Sequence, residues 1–184
     1  MGDGDGWVLG PSGERRWGRF GAAGLLLLAG PDGRRREPGG VSEAPVDLGS
    51  AAATSGRRVL LQLRAGWTHL GGTWGMPGGA VDSHEDAVAG ALREAHEETG
   101  VAPDAVEVLG QRVTADLGTW RYTVVLGRLR AGAPPQRPHA ATPESEEVRW
   151  VDLADVDGLP LHPGLADSWP LLREWVDHAC PGRA

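Results

Sequence analysis

At 184 residues the chain is the right size for one domain with a real interior. Its formal net charge of -7 and pI near 5.3 argue against the clustered positive charge that displaces counterions from nucleic acid, so a small-molecule partner is expected and no nucleic acid. The single cysteine, Cys180, excludes a disulfide framework or a thiolate metal cluster and implies a reducing, cytoplasmic setting, and no run approaches the ~20 apolar residues of a membrane helix.

All 18 basic residues are arginine, and the chain has no lysine, isoleucine or asparagine, a bias that reads as a GC-rich bacterial genome. Residues 1–19, rich in glycine, charge and tryptophan, read as a flexible arm that tightens near Trp17, and residues 20–180 as the domain. The basic stretch Glu14 to Phe20 ahead of an apolar run imitates a signal peptide, but residues 21–29 read equally as a short buried strand, and a first strand is expected there. Residues 31–58 mix glycine, proline, serine and charge without apolar periodicity, and read as a mobile loop insertion. Val59 to Arg64 is a second strand, followed by a glycine-rich segment to Gly79 that carries Trp67 and Trp74.

From about Glu85 to Thr99, the residues Val88, Ala91, Leu92, Ala95 and Thr99 recur at the spacing of one buried helical stripe. Asp82 or Ser83 is placed to cap this helix and Gly100 to end it in the left-handed conformation. Val106 to Asp116 and Trp120 to Leu129 read as a hairpin turning at Leu117-Gly118-Thr119. A proline-rich loop, 131–143, leads to a strand at Glu147 to Val151. A closing helix runs from about Ser168 to His178, with Leu172, Trp175 and Val176 on one face and Pro170 in its first turn. Mixed strands around one strongly patterned helix, with a second helix at the end, imply a layered α/β domain with helices packed on a sheet.

On that first helix, Glu94, Glu97 and Glu98 fall within roughly one 100° arc beside the buried stripe. Alone, Glu97 and Glu98 read as solvent-facing residues of an acidic helix. Three like charges on one small surface repel unless a cation offsets them, and hard divalent ions, Mg²⁺ above all, take such oxygen ligands together with substrate phosphates. The surroundings favour the cation: Gly79, Glu85, Arg93, Glu94, Glu97, Glu98 and Gly100 stand in the pattern G-x5-E-x7-R-E-A-x-E-E-x-G-V, preceded by Trp74-Gly75-Met76-Pro77-Gly78.

This pattern resembles the box of the Nudix hydrolases at all its fixed positions. The resemblance implies an α/β/α sandwich with a mixed sheet between helices, Mg²⁺ or Mn²⁺ dependence, and hydrolysis of a nucleoside diphosphate linked to another moiety. Carried over by position, Glu94, Glu97 and Glu98 are the metal-ligand set with the Gly78 carbonyl as a further ligand, while Glu85 and Arg93 hold loop and helix in register by pairing with each other. A nucleoside triphosphate cleaved to monophosphate and pyrophosphate is the preferred reaction, ahead of a nucleotide sugar or ADP-ribose and of a non-catalytic sensing domain of the same fold. Glu94 is the first candidate for general base, with Glu144, Glu146 and Glu147 next. The family often forms homodimers, and nothing in the chain decides its oligomeric state.

Trp67, Trp74 and Trp120 flank the box and are candidates to stack a nucleobase, with core packing the competing reading, favoured at Trp74. His69 and His162 are candidates for phosphate or base contact, against a reading as loop histidines with local hydrogen bonds. Asparagine, the usual bidentate reader of a purine edge, is absent, which leaves backbone groups, Gln62, Gln111, an aspartate or an arginine to read the base.

Overall fold

The computed structural model describes residues 2–30 and 57–180. The predicted loop insertion at 31–58 therefore lies outside the described residues except for its last two positions. The N-terminal residues carry regular structure where the sequence suggested an arm: β1 (Trp7–Leu9) and β2 (Arg15–Trp17) pair antiparallel, Trp7 opposite Trp17. Two strands of three residues, exposed except for the half-buried Val8, have no apolar alternation by which to announce themselves.

β3 (Ala22–Ala29) is buried along its whole length and is the axis of the main sheet. It runs parallel to β8 (Arg121–Leu129), while β4 (Arg58–Arg64) and β6 (Gly78–Ala80) pair with its other edge antiparallel. β5 (Trp74–Gly75) and β9 (Ser145–Asp152) pair with β4, and β7 (Val106–Asp116) closes the opposite side as the predicted hairpin with β8. One parallel pair among antiparallel ones makes the sheet mixed, as expected.

Side chains alternate across a strand, and here both faces are covered. Leu25 and Leu27 of β3 and Leu60 of β4 face α1 (Ala87–Thr99), packing with Ala91 and Ala95. Leu26 and Leu28, with Val59 and Leu61, face α2 (Pro163–Ala179), packing with Trp169, Leu172 and Val176. That double burial is why β3 reads as an unbroken apolar run. Each leucine taken wholly from water contributes about 2 kcal/mol. By the same alternation the next residue of β4 under α1 is Gln62, a polar side chain that is only 2% exposed.

Both helix starts differ from expectation. Asp86 caps α1, its Oδ1 accepting the Ala89 N–H at 2.8 Å, because Asp82 and Ser83 are engaged by the N-terminal segment: Asp82 Oδ1 accepts from Gly4 N–H at 2.7 Å, and Ser83 N–H donates to Asp3 at 2.9 Å. Gly100 ends α1 at φ 73°, as predicted. α2 begins at Pro163, five residues before Ser168, with His162 as its cap, so the first-turn proline is Pro163, and Pro170 stands inside the helix on its exposed side. Among the described residues no helix is long and apolar enough to cross a membrane.

Candidate active site

The box folds as the turn from β6 into α1. Arg93, on α1, reaches back across that turn: its Nε and Nη2 donate to the two oxygens of Glu85 at 2.8 and 3.0 Å, and Nη2 also donates to the Ala80 carbonyl at 2.9 Å. One guanidinium thus holds helix, loop and strand together through a planar fork. The hydrogen bond from Arg93 is the main reason the Glu85 carboxyl lies below the usual carboxylate range. The remaining nitrogen, Nη1, donates to Glu94 Oε1 at 2.7 Å and lies 3.7 Å from Glu97 Oε2.

The three box glutamates meet different environments. Glu97 is exposed. Glu94 lies against Gly79, and its pKa is raised, first by burial, with the charges of Glu97 and Asp5 adding to the shift. Glu98 is 8% exposed, and burial pushes its carboxyl up to about 8 despite the Gly78 N–H donating to Oε2 at 2.8 Å and Gln62 Nε2 donating at 3.0 Å. All three stand in the last two turns of α1, where the helix dipole is negative and disfavours further negative charge.

These observations test whether a divalent cation fits. The donors are oxygens, suited to a hard ion. Burial and mutual repulsion make ionisation of two of them costly, and Glu98 has only neutral hydrogen-bond donors on it, so a cation would offset the cost of ionising the set. The residues fit. The three carboxylates are not closed up on one point, since Glu94 leans on Arg93, Glu97 is turned to solvent and Glu98 is pinned under Gln62. Among the described residues, one trio of potential ligands does come within 4.8 Å, Asp3, Asp82 and His84. Its carboxylates already accept from Gly4 and Ser83, which identifies it as a staple between the N-terminal segment and the box turn.

The predicted aromatic wall is only partly formed. Trp74 is 4% exposed in the core facing α2, with the Arg149 guanidinium 4.3 Å above its ring, and Trp120 is 7% exposed, with its N–H donated to the Trp17 carbonyl at 3.0 Å. Both rings are packed, which is the reading weighed against base stacking for these candidates. Trp67 is 71% exposed. His69 is exposed with its ring 6.0 Å from Trp7, and its carbonyl accepts from Arg64 Nε at 3.2 Å. His162 accepts from Gly164 N–H at 3.2 Å as the α2 cap, the local role open to it from the start, and burial lowers its pKa. Glu146 accepts from Gly66 N–H at 2.8 Å, the Glu144 carbonyl accepts from Ala65 N–H, and Glu147 is exposed, 3.6 Å from Arg149. Gln62 is committed to Glu98 and Ser145, which removes it as a reader of the base.

Three contributors escaped the sequence reading. Arg64 lies close enough for its charge to act on Glu98, Tyr122 and His162. Tyr122, the one tyrosine, has its pKa raised by burial and then by Glu98. Asp5 reaches Glu94 because the N-terminal segment is tied to the box turn, Gly4 N–H donating to Asp82 Oδ1 at 2.7 Å and Ser83 N–H to Asp3 Oδ1 at 2.9 Å. Arg64 was signalled by its place where a buried strand runs into a glycine loop. Nothing local signals Asp5.

A mixed sheet between two helices, with an arginine-braced acidic turn at one end, defines a class of layered α/β hydrolases. The NUDIX domain family matches residues 49–175, and the chain belongs to the Nudix hydrolase family. It is 45% identical over 180 residues to a Mycobacterium tuberculosis protein named "Putative 8-oxo-dGTP diphosphatase 3", covering 94% of this chain and 70% of that protein. It is 37% identical to a Bifidobacterium longum protein named a nucleoside triphosphate pyrophosphatase/Nudix hydrolase fusion protein, covering 95% of this chain and 32% of that one. The crystal structure of a Nudix hydrolase from M. smegmatis, RenU, superposes with a TM-score of 0.74 at 42% identity, covering 98% of this chain and 99% of that one. The α/β/α sandwich with a mixed sheet is the fold.

Proposed function

We propose that this chain hydrolyses a nucleoside triphosphate to the monophosphate and pyrophosphate, using Mg²⁺, with Mn²⁺ as a substitute. The observation that carries the reading is Glu98, a carboxylate buried beside Glu94 at the negative end of a helix with only neutral donors on it. Such a cost is retained where a cation and an anionic substrate offset it together. The similarity to a protein named for 8-oxo-dGTP supports an oxidised purine triphosphate among the substrates.

Glu94, Glu97 and Glu98, with the Gly78 carbonyl, would hold the metal, which when bound neutralises the diphosphate and lowers the pKa of a water. The chain's own groups do the rest. Arg93 keeps Glu94 and the Glu85 turn in register. Glu94, raised above the ordinary range by burial, takes the proton of the attacking water at its carboxylate. Arg64 supplies positive charge beside the carboxylates, suited to a phosphate oxygen. Exposed Trp67 offers a ring face to the base. As water attacks phosphorus the phosphoanhydride P–O bond breaks, and the electron pair leaves on the pyrophosphate oxygen.

The test is product analysis after incubation with Mg²⁺ and, separately, a nucleoside triphosphate, its 8-oxo-guanine form, ADP-ribose and a nucleotide sugar. Pyrophosphate with nucleoside monophosphate supports the proposal. Sugar phosphate with nucleoside monophosphate moves the substrate to the second class, and no turnover of any of them with either metal overturns it.

A further inference from the structure

We infer that Gln62, backed by Ser145, is a positioning residue for Glu98, fixing one carboxylate oxygen so that the other is presented to the metal. The inference deepens the metal assignment proposed above and rests on it.

The sequence of β4, Val59-Leu60-Leu61-Gln62, places position 62 on the same buried face as Leu60, beneath α1. A leucine there would continue the packing of that face. Instead an amide is taken out of water, which is unfavourable unless both its ends find partners. Both do: Nε2 donates to Glu98 Oε2 at 3.0 Å, and Oε1 accepts from Ser145 Oγ at 2.7 Å. For the ionised form of Glu98 that a metal ion requires, the orientation is set by chemistry, because a carboxylate only accepts and so needs the NH₂ end, leaving the carbonyl end for the serine hydroxyl.

The two donors to Glu98, Gln62 and the Gly78 N–H, fall on the same oxygen. Oε1 has no hydrogen-bond partner among the described residues, and is the oxygen left to turn toward a cation. Ser145 begins β9, directly after the loop carrying Glu144, and that loop is bonded to the end of α1 through Ala141 N–H to the Glu98 carbonyl at 3.0 Å and His139 N–H to that of Thr99 at 3.1 Å. The relay therefore joins the box helix, the strand beneath it and the acidic loop at a single buried amide. Partners of metal ligands fix their orientation, and losing one weakens metal affinity ~10–100-fold.

The experiment is a Mn²⁺ titration of the metal-free full chain, following free Mn²⁺ by electron paramagnetic resonance, with a thermal melt in chelator alongside. Gln62→Met is expected to weaken Mn²⁺ affinity about tenfold or more while the melt stays cooperative. Ser145→Ala, which lets the amide rotate, is expected to weaken it less. Ser168→Ala, removing a hydroxyl of equal burial in α2, is expected to leave it unchanged. A merely structural glutamine would lower the melting temperature without altering the affinity of the folded protein. Wild-type affinity in Gln62→Met overturns the inference alone. If that variant does not fold, wild-type affinity in Ser145→Ala overturns it. Absence of Mn²⁺ binding by the unmodified chain overturns the metal assignment itself, and this inference with it.

Discussion

The carboxylate of Glu94 lies against the bare Cα of Gly79, where an added Cβ would stand 2.6 Å from its Cδ and Oε2. The glycine of the box is therefore a matter of room, and Gly79 is not among the glycines with positive φ. Gly79→Ala is expected to push Glu94 aside with little backbone strain. Displacing a reacting group by about 1 Å can cost on the order of 10²-fold, so kcat at saturating Mg²⁺ should fall by roughly that factor while the thermal melt moves little. Wild-type kcat would show that Glu94 has no fixed place in the reaction.

Arg93 spends its fork on Glu85 and its remaining reach on Glu94 and Ala80. Lysine keeps the charge but offers a single ammonium in place of a planar fork. With the arginine side chain only 28% exposed, Arg93→Lys is expected to cost about 2 kcal/mol, lowering Tm by roughly 4–8 °C in a chain of this size. It should lower kcat as well, because Glu94 loses its anchor. Thermal melts in chelator check the first part, and an unchanged Tm would mean that the turn holds its shape without the pair.

Burial pushes the Glu98 carboxyl up to about 8 in the folded chain, from the 4.5 of an ordinary glutamate. Between those values the folded state binds the proton that the unfolded state has lost, so stability is fully present below about pH 4.5 and is lost as pH rises toward 8. His162, lowered by burial, acts in the opposite sense just below its ordinary value. The clean measurement is therefore the difference between the unmodified chain and Glu98→Gln, in which His162 cancels. In chelator, Glu98→Gln should flatten the fall in Tm between pH 5 and 8. Mg²⁺ should raise the Tm of the unmodified chain more at pH 8 than at pH 5, since the ligand must be ionised to bind. The same variant should lose turnover by more than the ~10–100-fold that removal of a ligand's hydrogen-bond partner costs. Parallel Tm profiles for the two proteins would refute the burial argument, and retained kcat would refute the role.

The box was legible because its chemistry is packed into 23 consecutive residues, where helical periodicity alone brings three carboxylates to one face. β3 and the β7 to β8 hairpin were legible for the same local reason, an apolar run and two alternating strands around a glycine turn. What stayed hidden depends on residues distant in sequence. The Asp86 cap could not be chosen over Asp82 without knowing that Gly4 occupies Asp82. Pro170 looked like a helix start because proline suits a first turn, and only packing shows Pro163 in that place. Gln62 looked like a free amide because its partners lie 36 and 83 positions away. Asp5 reaches Glu94 through a segment with no pattern of its own.

The tryptophans flanking the box divide by burial, and the division predicts two kinds of loss. Trp74 fills the core facing α2 beneath Arg149, so Trp74→Ala leaves a cavity, and a buried tryptophan cut to alanine costs about 3–5 kcal/mol, or roughly 6–20 °C in Tm. Trp67 is 71% exposed on the glycine-rich loop and supports little packing, so Trp67→Ala should leave Tm nearly unchanged. A ring stacking a base contributes about 1–3 kcal/mol, and binding lost equally from ground and transition states appears in KM. Trp67→Ala should therefore raise KM for the nucleotide roughly 5–150-fold with kcat retained, measured by steady-state kinetics on whichever substrate turns over. If KM does not move, the base lies elsewhere, and exposed His69 beside Trp7 becomes the wall to mutate next.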